Sequence, residues 1–242
     1  MDSNYKSYNY ISSFSRIDDI LAQSQSNYEE VNELPDREKL TYSNGYYANC
    51  SALFVDIRDS SKLPERYRRP ALAKLYRAFI SEIVAVLNGN TQSREINIVG
   101  DCVWGVFNTP YKAHIDGVFS TAAQANSLVK VLNYKLSKAG YNTPISIGIG
   151  MSYGRALMIK AGYNGSGISD VIYMGDVVNH AAKLASRGSE GILVPPMMIG
   201  DAFAANLSEL NSKLVARDWT RQCYTANAVN ISMNDWYDEN CT

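Results

Sequence analysis

Two short apolar runs, residues 94–99 and 102–107, are separated only by Gly100-Asp101. So tight a connection reads as a hairpin, because parallel neighbours need a crossover of a dozen residues or more. The hairpin lies between two long segments of helical period. In residues 64–88, Leu72, Leu75, Tyr76, Phe79, Ile83 and Leu87 recur every three or four positions, and Asn88-Gly89 is the stop signal. Residues 113–138 repeat the pattern with Val118, Ala122, Ala125, Leu128, Leu132 and Leu136. Hairpins alternating with helices indicate an α+β fold, a central mixed or antiparallel sheet with helices packed on it.

The remaining segments fit this frame. Residues 47–57 are an apolar strand, and residues 144–153 and 155–161 read as a further strand pair. A glycine-rich loop over 162–167 leads to a strand at 168–174, a helix at 176–187 and a short strand at 191–194. The last forty residues are expected to hold one more helix and an antiparallel pair. Residues 1–45 differ in character, rich in Ser, Tyr, Asn and acids. They read as an N-terminal arm with a short amphipathic helix around Ile17, Ile20 and Leu21, closed by the turn signal Ser43-Asn44-Gly45. The expected domain is residues 46–232, followed by a tail at 233–242.

Charge and cysteine usage narrow the function classes. Lys plus Arg total 23 against 24 Asp plus Glu, a net charge of −1. That balance argues against a general nucleic-acid partner, which requires excess positive charge. The cysteines at 50, 102, 223 and 241 have no zinc-knuckle or redox-pair spacing, and Cys50 and Cys102 read as small core residues. No signal-peptide core and no membrane-spanning run is present, so the expected protein is reduced, soluble and cytoplasmic, with no direct membrane insertion.

The common phosphate motifs fail. There is no GxxxxGK[ST], and Gly148, Gly150 and Gly154 are spaced one residue too widely for a dinucleotide fingerprint. With only His114 and His180 in the chain, chemistry must rest on carboxylates. Asp56 ends the run ALFV and is followed by Ile57 and the hydroxyl-bearing turn at Ser60 and Ser61, a suitable place for a metal-bound phosphate. Asp101 sits at the hairpin tip. Alone, Asp56 reads as a helix cap and Asp101 as a turn residue. If the hairpin packs beside strand 47–57, the two carboxylates jointly suit two divalent cations.

These residues carry a resemblance. Phe54-Val55-Asp56, Val99-Gly100-Asp101, Gly148-Ile149-Gly150 with Gly154, and the run from Gly175 to Lys183 resemble, in order and spacing, the class III nucleotidyl cyclase catalytic domain over about residues 46–229. The resemblance implies a ferredoxin-like domain that works as a homodimer, with active sites across the interface. It places two ions, Mn2+ or Mg2+, on Asp56, Ile57 and Asp101. Asn179 would orient the ribose, and Lys183, where the family usually has arginine, would stabilise the transition state from the other subunit. Arg155 falls at a position that contacts the triphosphate in some members. The base-reading positions hold Asn97 and Ile172 in place of the usual purine-reading pairs. That departure looks like the pyrimidine cyclases of bacterial Pycsar antiphage defence, which make cyclic UMP or cyclic CMP to activate a separate effector protein. Because Ile172 offers no acceptor for the cytosine amine, UTP is favoured over CTP. A purine cyclase with an atypical base pocket and a non-catalytic nucleotide-binding module are the alternatives.

Other features weigh less. Arg58, Lys62, Arg66, Arg68, Arg69, Lys74 and Arg77 read mainly as a solvated helix face, with Arg58 and Lys62 the functional members. Tyr42, Tyr46 and Tyr47 read as packing or dimer contacts, and His180 as structural.

Overall fold

The computed structural model of the chain describes residues 3–241. In chain order its elements are α1 (Tyr10–Leu21), β1 (Tyr28–Glu30), β2 (Gly45–Ile57), α2 (Leu63–Arg66), α3 (Arg69–Asn88), β3 (Ser93–Val99), β4 (Cys102–Asn108) and α4 (Lys112–Lys138). Then follow β5 (Ile147–Tyr163), β6 (Ile168–Met174), α5 (Asp176–Ala185), β7 (Met197–Ile199), α6 (Asp201–Ala205), α7 (Glu209–Ser212), β8 (Ala216–Asp218), β9 (Cys223–Ala226) and α8 (Ile231–Asn240). The chain forms two compact units: Cys50–Gly154 with Val177–Thr242, and Met1–Asn49 with Arg155–Asp176.

In the larger unit the strand order is β3-β4-β2-β5-β7-β9-β8. β4 is antiparallel to both β3 and β2, while β7 is parallel to β5 and antiparallel to β9, so the sheet is mixed. Alternation along each strand assigns its two faces. Leu53, Val55 and Ile57 of β2 enter the core with Phe79, Ile83 and Leu87 of α3 and with Val118, Phe119 and Ala122 of α4. Ile147, Ile149 and Met151 of β5 join them. The intervening residues, Phe54 and Asp56 on β2 and Gly148 and Gly150 on β5, belong to the opposite face, where α5 lies. A Cβ on Gly148 would stand 2.0 Å from the Ala185 carbonyl oxygen, and one on Gly150 2.0 Å from that of Ala181. These glycines therefore serve backbone-to-backbone packing of a helix on a strand, and no phosphate loop. At the chain's end α8 docks on α4, where Lys130 pairs with Asp238 at 3.1 Å and lies over the Tyr237 ring.

The smaller unit pairs β1 parallel with the start of β2, Tyr28 opposite Gly45, and β6 antiparallel with the end of β5, Leu157 opposite Met174. Its helix α1 is capped by Asn9, whose side chain accepts from the Ser12 N–H at 3.1 Å. Among the described residues no helix is long and apolar enough to cross a membrane.

The last forty residues hold two helices, α7 and α8, where one is expected, besides the β8–β9 pair, and three further elements differ from the sequence reading. The helix over 64–88 is two helices, because Pro70 has no N–H to continue the ladder from α2 and its ring would strike the Arg66 carbonyl. The strand pair at 144–153 and 155–161 is one continuous strand, β5. Gly154 does not turn the chain; the reversal falls in the loop after Tyr163, where Gly165 and Gly167 take positive φ. The strand at 191–194 is absent. Gly191 takes φ 106°, Ile192 and Leu193 are exposed, and the strand forms instead at Met197–Ile199 beside Ile149–Met151.

Candidate active site

Asp56 is the penultimate residue of β2, and Asp101 follows Gly100 at the tip of the β3–β4 hairpin. The register brings them together: Val55 lies opposite Val103, and Cys102 opposite Val99, which sets the hairpin tip beside the end of β2. Asp56 is half-buried. Burial raises its carboxyl above the ordinary 3.8, the Asp101 charge raises it further, and Arg58 opposes both. Asp101 Oδ2 is buried and has no hydrogen-bond partner.

Two neighbouring carboxylates, one carrying a bare buried oxygen, form a site short of positive charge. A divalent cation fits that deficit. Among the described residues no group of three or more His, Cys, Asp or Glu side chains converges to hold a metal. Further ligands would therefore be main-chain, water or phosphate oxygens, the set that hard cations such as Mg2+ and Mn2+ accept. Ile57 buries its side chain in the core, so only its main chain is available to such an ion. Cys102, read from sequence as a core residue, is only partly buried at this face. Its thiol is pushed up to about 12, by burial first and then by Asp56 and Asp101. Cys50 is fully buried.

A cavity of about 230 Å³ opens on this face, bounded by Phe54, Asp56 and Trp104, by Ala182 and Ala185 of α5, and by Ser186 just beyond it. On α5, Asn179 and Lys183 are one turn apart and both exposed, and neither side chain has a partner among the described residues. Ser60 and Ser61 open the single helical turn after Asp59, whose φ is 54°. Lys62 is drawn to Asp59 at 3.0 Å. Asn97 stands on β3 directly opposite Trp104. His180 accepts or donates a 3.3 Å hydrogen bond with the Ser152 hydroxyl, a packing role.

Arg58 serves the fold. Its Nη1 donates to the carbonyls of Ala185 at 3.3 Å, Ser186, and Gly188 at 3.4 Å, closing the C-terminal end of α5 with a cation. Sequence patterning missed this, because the partners lie some 130 positions away and are backbone oxygens. Arg58→Ala removes these charge-assisted bonds and is expected to cost about 2 kcal/mol, read as a lower midpoint in urea unfolding.

The other two base- and phosphate-site candidates belong to the smaller unit. Ile172 is exposed on β6 opposite Ile159. Arg155 is clasped by Glu30, its Nε donating to both carboxylate oxygens at 3.0 Å and its Nη2 to Oε2 at 2.6 Å, with the guanidinium 3.7 Å from the Tyr47 ring centroid. Its charge is already matched within the chain, and Glu30 is held below the ordinary carboxylate range by the same bond.

A mixed sheet with helices on both faces, and paired carboxylates where a hairpin tip meets a strand end, is the frame of a class III nucleotidyl cyclase domain. Residues 42–218 match the adenylate and guanylate cyclase catalytic domain, and the chain belongs to this class III cyclase family. It is 39% identical to a uridylate cyclase of Gulbenkiania mobilis, across 99% of this chain and 100% of that one. A uridylate cyclase of Treponema porcinum is 37% identical across 96% of this chain and 82% of its own. A class III adenylyl cyclase-like ATP-binding protein from Pseudomonas aeruginosa shares the fold, with a TM-score of 0.72 at 15% identity over 93% of this chain and 48% of that one.

Proposed function

We propose that this nucleotidyl cyclase is a uridylate cyclase, converting UTP to 3′,5′-cyclic UMP and pyrophosphate, with CTP the poorer substrate. The near-full-length likeness to two uridylate cyclases supports the base. The observation that carries the chemistry is the bare buried oxygen of Asp101 beside Asp56. In the reaction the ribose 3′-oxygen bonds to the α-phosphorus, the bond from that phosphorus to the bridging oxygen of pyrophosphate breaks, and the hydroxyl proton is released.

Asp56 and Asp101, with the Ile57 main chain, would hold two ions, Mn2+ or Mg2+. Such ions, when bound, neutralise triphosphate charge and favour the ionised 3′-oxygen. Asn179 orients the ribose, and Lys183 brings a cation to the charge that develops at phosphorus. Ser60 and Ser61 offer hydroxyls to the phosphates. Lysine lacks the bidentate fork of arginine, so Lys183 acts as a point charge. Both α5 side chains point to solvent without partners, which supports a site completed by a second copy of the chain. Arg155 meets a phosphate only after leaving Glu30. Asn97 offers an amide to the uracil edge, while Ile172 offers nothing to the cytosine amine. The cyclic product would act in the cytoplasm as a messenger of antiviral defence, read by a separate effector.

Mass analysis of products from an equimolar mixture of the four ribonucleoside triphosphates tests this. Cyclic UMP as the main product is expected. Cyclic AMP alone rejects the pyrimidine assignment, and no product from a folded protein rejects catalysis.

A further inference from the structure

Two ladders share one register on the cavity side of the sheet. Phe54 on β2 lies opposite Trp104 on β4, and Trp104 lies opposite Asn97 on β3. Residues directly opposite one another project from the same face, so the three form a row across three strands. Within it the rings of Phe54 and Trp104 are stacked, with centroids 5.0 Å apart and planes 1° from parallel. Asp56, Val99 and Cys102 form the next row on that face, two residues or about 7 Å further along the strands.

The aromatic pair is unlike the packing elsewhere in the fold. The opposite face of these strands carries the buried core, Phe107 of β4 included; here two large rings line an open cavity beside a carboxylate. That cavity, about 230 Å³, is smaller than the roughly 300–1,000 Å³ of a complete ligand pocket. It suits one part of a nucleotide, the rest being enclosed by another surface. Ala182 and Ala185 of α5 leave the space opposite the rings. Parallel planes with centroids 5.0 Å apart turn one face of each ring to the other, so the surface left for a planar ring is the free face of Trp104, on the side of Asn97. The Asn97 amide at the end of the row supplies a donor and an acceptor for the edge of such a ring.

We infer that Trp104, backed by Phe54, is the wall against which the pyrimidine ring packs, and that Trp104 sets base preference by filling the space a purine would need. This rests on the uridylate cyclase reading but does not depend on turnover. The indole limits the depth of the cavity; a smaller side chain at 104 lengthens it.

The test uses the full chain carrying Trp219→Phe and Trp236→Phe, two exposed positions, so that Trp104 is the sole tryptophan. Its fluorescence is expected to fall by more than half with the α,β-methylene analogue of UTP, and to be unchanged by inorganic tripolyphosphate, which lacks a base. In the otherwise native chain, Trp104→Leu is expected to raise KM for UTP about tenfold, with kcat within about threefold, from loss of base stacking. Its ATP-to-UTP ratio of kcat/KM should rise about tenfold, and Trp104→Phe should recover most of the UTP affinity. Should Trp104→Leu fail to fold, the fluorescence measurement and Trp104→Phe still decide. Equal quenching by the analogue and tripolyphosphate, or UTP turnover with an unchanged KM in Trp104→Leu, overturns the assignment. Absence of UTP turnover together with base-dependent quenching rejects the enzyme reading and leaves the wall standing.

Discussion

Asp56→Asn is expected to lower the cyclisation rate by about 10³-fold or more, while the metal-free protein melts at the same or a higher temperature. The two results together separate a metal carboxylate from the helix cap that Asp56 resembles in sequence, since removing a cap costs about 1 kcal/mol. The reason for the stability gain is local. Asp56 is half-buried beside Asp101, and both burial and that neighbour oppose its charge. A carboxyl whose folded pKa lies above the unfolded value penalises the fold when ionised. The penalty is complete above the folded pKa and vanishes as pH falls towards 3.8. Metal-free wild type should therefore gain stability on mild acidification through the Asp56 titration, and Asp56→Asn should not share that gain.

Added Mn2+ or Mg2+ should reverse the contrast. At about one hundred times its dissociation constant, an ion that binds only the folded chain contributes about 2.7 kcal/mol, roughly 5–10 °C in melting temperature for a domain of this size. Asp56→Asn and Asp101→Asn should lose that shift. Thermal melts with and without each ion, paired with product assays, check all of this. A native-like ion-induced shift in Asp56→Asn would sink the carboxylate-pair assignment.

Legibility in the sequence follows the range of the interactions involved. The β3–β4 hairpin is readable because two residues cannot connect its strands otherwise, and α4 is readable because its apolar stripe is long and regular. Asp56 and Asp101 stand out only as strand-end residues. What joins them is the β2–β4 pairing, a contact between segments about fifty residues apart, and local periodicity carries no information on it. The Trp104–Phe54 stack is hidden for the same reason, although Trp104 alternates correctly with Cys102 on a strand whose pairing with β3 was expected. The unbroken course of β5 shows the limit of reading glycine as punctuation. Gly154 sits in mid-strand without positive φ, whereas Gly165 and Gly167 turn the chain. Arg155 shows another limit: its position suggests a phosphate contact, but a glutamate 125 residues earlier holds it.

The second large effect falls on glycines that read at first as a broken phosphate motif. Gly150→Ala is expected to cost about 3 kcal/mol or more and, in whatever protein still folds, to lower kcat about 10²-fold. Its Cβ would stand 2.0 Å from the Ala181 carbonyl oxygen and 2.3 Å from the Ala185 amide nitrogen. Both are backbone atoms of α5, so no side chain can swing aside and the helix itself must retreat from β5. Asn179 and Lys183 ride on that helix, and a displacement of about 1 Å takes both out of register with their substrate. Two other glycines supply controls of contrasting sign. Gly154→Ala meets only a side-chain methyl of Val177, at 3.1 Å, and should be mild. Gly117 lies inside α4, with only the Asn90 side chain at 3.7 Å, so Gly117→Ala should stabilise the chain by about 0.5–1 kcal/mol. Urea unfolding of the three variants, with kcat measured on each, distinguishes a helix seat from a phosphate loop. Loss of activity in Gly150→Ala at undiminished stability, with a raised KM for the triphosphate, would restore the loop reading.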